Sequence, residues 1–205
     1  MAWRRIPNWL KKIFPQLVWE GSTIEKYIYL TFDDGPTPGI TSQVLALLNQ
    51  YKAKATFFCL GSQVEKHPDL FEQIKAEGHT IGNHGYRHLN GFFSTTKEYV
   101  KNAQHGASIT ESRLFRPPYG RITLRQIRLL KNDYQIVIWS MMSMDFRAKL
   151  RPEQCFNNII KNISPGAIIV FHDTEKAAKN LLNVLPLLLD YLDEKKYRAL
   201  TLNVI

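Results

Sequence analysis

The chain has 205 residues, 44% of them hydrophobic and 22% charged, which fits one globular domain large enough to bury a real core. It contains no stretch of about 18 apolar residues, which excludes a spanning helix, and its two cysteines, Cys59 and Cys155, stand far apart without a CxxC, which speaks against a disulfide framework or a thiolate zinc site. Lys plus Arg number 27 against 18 Asp plus Glu, a net charge of +9; these residues are spread along the chain without interleaved aromatics, so they read as a solvated basic surface and not as a nucleic-acid-binding face.

The N-terminal stretch MAWRRIPNWLKKIFPQLVW is basic, with no continuous apolar run and no small-residue cleavage site, so it does not read as a signal peptide. That favours cytoplasmic residence or a peripheral place at the inner membrane surface, and Cys59, inside the apolar run ATFFCL, reads as a small buried hydrophobe. Trp3, Ile6, Trp9, Leu10, Ile13 and Phe14 recur at helical spacing, with Arg4, Arg5, Lys11 and Lys12 for a polar face. The favoured reading packs this segment against the rest of the domain. The alternative lays residues 1–15 on an anionic membrane. Residues 1–25 are accordingly set apart from a domain spanning 26–205.

From Lys26 the pattern alternates. YIYLTF (27–32) reads as a strand ending at DDGP, and a helix follows over 42–52. Further apolar runs are ATFF (55–58), HTIGNH (79–84), LFRP (114–117), IVIWS (136–140), AIIVFH (167–172) and ALTLNV (199–204). Helices are expected near 63–77, 95–111, 122–131, 152–162 and 176–194. Strand and helix alternating about seven times argue for an α/β architecture with a mainly parallel sheet, open or closed. Asp33, Asp34, His84, Arg116, Asp145 and His172 all stand at or just beyond the C-terminal end of an apolar run, the edge where parallel α/β folds assemble their sites.

His84 and His88, four apart in HGYRH, can turn both imidazoles toward one metal. Asp33 and Asp34 are adjacent carboxylates at a strand end, turned by Gly35 and Pro36; two like charges side by side call for a compensating cation, which a metal would supply. His67, His79 and His105 read as exposed or structural, and the sequon at Asn162, Ile163 and Ser164 as idle.

TFDDGP (31–36), HGYRH (84–88), RPPYG (116–120), WSMMSMDF (139–146) and IIVFHD (168–173) resemble, in order and spacing, the five motifs of the polysaccharide deacetylase family, carbohydrate esterase family four. The resemblance runs from Tyr27 to about Leu202. It implies an irregular (β/α) barrel with about seven parallel strands. It implies one divalent metal, zinc before cobalt or nickel, held by Asp34, His84 and His88, with Asp33 as general base and Arg116 orienting it. It further implies that the Tyr119 backbone N–H binds the oxyanion, that His172 is the acid, and that Asp145 orients His172. Tyr119, Trp139, Phe146 and Val170 would contact substrate, Phe146 standing where the family usually has Trp. Gly85 replaces Ser or Thr, Met142 replaces an aspartate and Val170 replaces a leucine.

The implied reaction is metal-dependent hydrolysis of acetyl groups from an N-acetylated glycan or amino sugar, releasing acetate and a free amine. A carbohydrate O-acetyl esterase and a non-catalytic glycan-binding domain are the alternatives.

Overall fold

The computed structural model of the chain describes residues 8–203. Trp3, Arg4, Arg5, Ile6 and Pro7 of the N-terminal pattern lie outside the described residues. The central strand is β1 (Tyr27–Asp33), buried along its length after the first residue. Its side chains alternate as a strand requires. Ile28, Leu30 and Phe32 enter the core beneath the helices, while Tyr29 faces a second, interior cluster, and Thr31 and Asp33 share its side. Phe32 stacks between Phe57 at 4.9 Å and Phe171 at 5.8 Å, locking β1 to both neighbours.

After a short α1 (Asn8–Ile13) and β1, the chain runs through α2 (Ile40–Gln50), β2 (Ala55–Cys59), α3 (Gly61–Lys66), α4 (Pro68–Ala76), β3 (Thr80–Asn83), α5 (Thr96–Thr110) and β4 (Leu114–Phe115). A single 3-10 turn (Pro118–Gly120), α6 (Leu124–Leu130), β5 (Gln135–Ile136), β6 (Met141–Met142), α7 (Pro152–Ile160), β7 (Ile168–His172), α8 (Glu175–Glu194) and β8 (Arg198–Ala199) complete it. The strand order is β5-β4-β3-β2-β1-β7-β6, with every pairing parallel. These seven strands form a curled half-barrel with helices outside, the architecture expected. Among the described residues no helix is long and apolar enough to cross a membrane.

Besides shifts of one or two residues at element ends, three segments differ in kind from the sequence pattern. The helix expected over 63–77 is two, because Pro68 takes the first position of α4 and cannot continue α3. The strand expected over 136–140 divides: the Val137 N–H still donates to Phe115 O at 2.8 Å, but that of Ser140 donates to Ile168 O at 3.2 Å, so the segment crosses from β4 to β7. The run 199–204 shrinks to β8, which pairs with Tyr27 and Ile28; β2 takes over the same edge of β1 from Leu30 onward.

The crossing leaves a seam that the N-terminal segment fills. Val18 donates to Ile136 O at 2.9 Å and accepts from Ile138 N–H at 2.7 Å, and Gly21 donates to Gly166 O at 2.9 Å. The segment set apart by the sequence pattern is thus stitched to both sides of the sheet. The apolar face of α1 is divided: Leu10 and Phe14 pack on the interior cluster, whereas Trp9 and Ile13 are exposed.

Helix α5 clamps the loop that follows β3. Asn83 donates through Nδ2 to Ala103 O at 2.8 Å, Tyr86 N–H to Asn102 O at 3.0 Å, and Arg87 N–H to Asn102 Oδ1 at 2.8 Å. A Cβ on Gly106 would fall 2.4 Å from Asn83 Oδ1 and 2.4 Å from the Gly85 carbonyl carbon. Helix propensity favours Gly106→Ala by about 1 kcal/mol, but the collision is with backbone that cannot yield, costing roughly 1–3 kcal/mol. We expect the collision to win, so that Gly106→Ala lowers the urea unfolding midpoint; a raised midpoint would show that α5 stands further from the loop.

Candidate active site

The C-terminal strand edge gathers Asp33 from β1 and Asp34 directly after it, His84 after β3, Arg116 after β4, and His172 from β7. Asp145 joins them from the loop after β6, hydrogen-bonded to His172. They meet because parallel strands present all their C-terminal ends on one side. Asp34 adopts φ 83° directly after the strand, which turns its side chain away from the line of Asp33.

One ligand atom from each of Asp34, His84 and His88 lies within 4.8 Å of the others. The His84 and His88 Nε2 atoms stand 3.5 and 3.2 Å from Asp34 Oδ1. His84 Nδ1 lies 2.8 Å from Arg116 O; a carbonyl only accepts, so Nδ1 carries the proton and Nε2 presents a lone pair. Burial first, and the His88 and Arg116 charges with it, outweigh Asp34 and push His84 down to about 3, so the ring is neutral at ordinary pH. Among the described residues, Asp34 Oδ1 is buried with no hydrogen-bond partner. A carboxylate oxygen facing a lone pair repels it unless a cation sits between them, so this donor set fits a divalent metal.

Gly85, between the histidines, has φ +84°, and a Cβ there would lie 2.5 Å from Asn102 Nδ2. Glycine therefore suits both the left-handed backbone and the close approach of α5. Its N–H donates to Asn83 Oδ1 at 2.7 Å, fixing the start of the loop.

Arg116 is wholly buried. It donates from Nη1 to Asp33 Oδ1 and Thr31 Oγ1, both at 2.7 Å, and from Nη2 to Ile138 O at 2.9 Å. Its guanidinium also lies 4.0 Å from the Phe58 ring centre. Burial lowers its pKa, and the Asp33 carboxylate opposes that shift.

On the other flank, His172 Nδ1 lies 2.8 Å from Asp145 Oδ1, and its backbone N–H donates to Asp145 Oδ2 at 2.7 Å. Asp145 is itself buried and its carbonyl accepts from Asn180 Nδ2 at 2.9 Å. Burial works against charging His172, but the charge and hydrogen bond of Asp145, with the more distant Asp33 and Asp34, outweigh it and raise the imidazole to about 9.

Trp139, Phe146, Val170 and Tyr119 line the same cavity. Phe146 sets its ring edge-on to His172 at 5.1 Å and Tyr119 likewise to His88 at 4.2 Å. Tyr119 has φ 59°; Gly120 and Arg121 donate to the carbonyls of Pro117 and Pro118, so the turn's own hydrogen bonds do not use the Tyr119 N–H. The other histidines stand apart: His79 Nδ1 accepts from Ala55 N–H, His105 stacks on Tyr86, and His67 ends α3.

Asp173 is a participant the sequence reading did not single out. It is buried and accepts from Gly35 N–H at 3.1 Å and from Thr41 Oγ1 at 2.5 Å, which holds the turn after Asp34. Burial pushes its carboxyl up to about 7 against those hydrogen bonds. Its only sequence signal was its place beside His172. Leu10, Phe14, Leu17 and Trp19 also line the cavity; helical spacing marked Leu10 and Phe14 as apolar without saying what they face.

Residues 20–136 match the family described as Polysaccharide deacetylase. A peptidoglycan-N-acetylglucosamine deacetylase of Bacillus cereus is 37% identical over 195 residues, covering 91% of each chain. A chitooligosaccharide deacetylase of Azorhizobium caulinodans is 36% identical over 154 residues, covering 71% of this chain and 73% of its own. The crystal structure of a peptidoglycan N-acetylglucosamine deacetylase in complex with 4-naphthalen-1-yl-N-oxidanyl-benzamide superposes with a TM-score of 0.87 at 32% identity, over 95% of this chain and 94% of that one.

The His172 pair has a measurable consequence. Because its folded pKa lies above the unfolded value of about 6.5, the charged pair adds stability that is fully present below that pH and is lost as pH rises through about 9. In chelator-treated protein, the His172 ring should titrate by NMR well above neutrality, and Asp145→Asn should bring it down by more than about one unit. An unchanged titration in Asp145→Asn would remove Asp145 as the cause.

Proposed function

The chain belongs to the polysaccharide deacetylase family, and we propose that it is a metal-dependent hydrolase that removes acetyl groups from the amide nitrogens of N-acetylated glycans. One observation carries this reading: Asp34, His84 and His88 converge on a point flanked by an arginine-held carboxylate on one side and a carboxylate-held histidine on the other. The names of the relatives support a peptidoglycan-like or chitin-like oligosaccharide as substrate. Residues 26–205 carry all the reacting groups of this proposal, and the segment before them adds part of the cavity lining.

Asp34, His84 and His88 would hold the metal, with zinc the best match for a two-histidine, one-carboxylate set and cobalt or nickel as substitutes. A divalent ion there supplies a Lewis acid that polarises a carbonyl and makes water more acidic. Asp33 is the base: Arg116 occupies its Oδ1, which leaves Oδ2 to take the proton from water. Water oxygen then bonds to the acetyl carbon. The Tyr119 N–H donates to the oxyanion that develops. His172, its Nδ1 engaged by Asp145, presents Nε2–H to the departing nitrogen. The C–N bond breaks, the amine leaves protonated, and acetate remains. Trp139, Phe146 and Val170 enclose the acetyl group.

Metal-loaded protein should release acetate from an N-acetylglucosamine oligomer, and chelation should abolish that release. Asp33→Asn retains an acceptor for Arg116 but no basic oxygen, so it should bind metal normally and lose ~10² or more in kcat. It should also melt at lower temperature, because the buried guanidinium loses its counter-charge. Full turnover in Asp33→Asn, with metal content verified, removes Asp33 from the reaction.

A further inference from the structure

The cavity that holds these groups extends well past them. Its volume is about 840 Å³, whereas a cavity of about 150 Å³ takes a benzene ring; an acetyl methyl fills only a small part. Asp33, Asp34, His84, His88 and His172 lie in its polar wall. Tyr119 and Phe92, each more than half exposed, mark its rim. The rest of the lining is largely apolar, with Arg121, Thr174 and Lys176 its further polar side chains: Trp139, Val170, Ile127 and Ile138 belong to the interior cluster with Leu17 and Trp19 from the seam, and Leu10 and Phe14, partly buried, pack on that cluster.

This gradient orients a substrate. A glycan chain is polar and extended, so it stays at the exposed rim, where its hydroxyls keep their water. Only the group on the far side of the scissile carbonyl can enter the barrel. A polar group there would lose its hydration against a wall of hydrocarbon, at a cost that an apolar one escapes.

Building on the deacetylase reading above, we infer that this chain hydrolyses N-acyl groups longer than acetyl, with the acyl chain lying in the apolar chamber formed by Val170, Trp139, Leu17, Trp19, Leu10 and Phe14. The chemistry is unchanged. Water oxygen bonds to the acyl carbon, Asp33 takes the water proton, the C–N bond breaks and His172 protonates the amine. The products are a straight-chain carboxylate and an amino sugar. Residues of α1 and the seam, outside all five motifs, therefore set acyl-chain length.

The test is a series of glucosamine tetramers carrying N-acetyl, N-propanoyl, N-butanoyl or N-hexanoyl groups, with kcat/KM measured from acid release by metal-loaded protein. We expect the butanoyl substrate to fall within about tenfold of acetyl or above it, since each buried methylene is worth up to about fourfold. Phe14→Trp and Leu10→Trp narrow the chamber from independent positions. Either should lower the hexanoyl-to-acetyl ratio at least tenfold, with folding checked by thermal melting. Calorimetry with Asp33→Asn gives a readout independent of turnover: the hexanoyl tetramer should bind tighter than the acetyl one, and Phe14→Trp should erase the difference. Discrimination of more than about a thousandfold against propanoyl, equal losses for all acyl groups in the tryptophan variants, or equal affinities by calorimetry would overturn the inference. If acetate is released and hexanoate is not, the chamber assignment alone fails. If no acetate is released, the deacetylase reading fails with it.

Discussion

A guanidinium with no access to solvent is the most demanding group in this structure. Arg116 lies at the centre of the strand edge, and a buried cation is tolerated only where counter-charge and acceptors surround it. Its neighbours follow from that demand: Asp33 and Thr31 two residues apart on the inner side of β1, the Ile138 carbonyl on the crossing segment, and the Phe58 ring below. Because those acceptors sit on β1 and the segment after β5, one side chain fixes the separation of three parts of the barrel. Its backbone carbonyl also sets the tautomer of His84, so the same residue orients a candidate ligand and the candidate base.

The two flanks of the site are electrostatic opposites. On one, a buried cation grips a carboxylate; on the other, a buried carboxylate grips an imidazole and favours its charged form. A candidate base and a candidate acid thus stand on opposite flanks, each held by a permanent partner of opposite charge. The opposed dipoles also point the free Asp33 oxygen and the free His172 nitrogen at one cavity.

Much of this was legible in the sequence. The run from Tyr27 to Asp33 reads as a strand because its alternation and its β-branched and aromatic residues both say so, and the placement of polar residues at strand ends predicted the edge on which Asp33, Asp34, His84, Arg116 and His172 meet. Less legible was whatever depends on distant partners. The division of 136–140 is imposed by Val18 and Ile168, which local hydrophobicity does not report. Asp173 carries no local signal beyond its place after His172, and only the fold brings Thr41 and Gly35 to it. Gly85 looked like the loss of a hydroxyl; the positive φ and the nearness of Asn102 give it a reason of its own.

The hydrogen bonds from Val18 to Ile136 and Ile138, and from Gly21 to Gly166, join the start of the chain to segments far along it. Such contacts are costly in loop-closure entropy and form only once the intervening strands are in place. The segment around Val18 and Gly21 therefore takes these backbone partners from residues far downstream. The part of the cavity lining that Leu17 and Trp19 supply is thereby a product of long-range contacts, so its shape depends on the whole barrel being assembled.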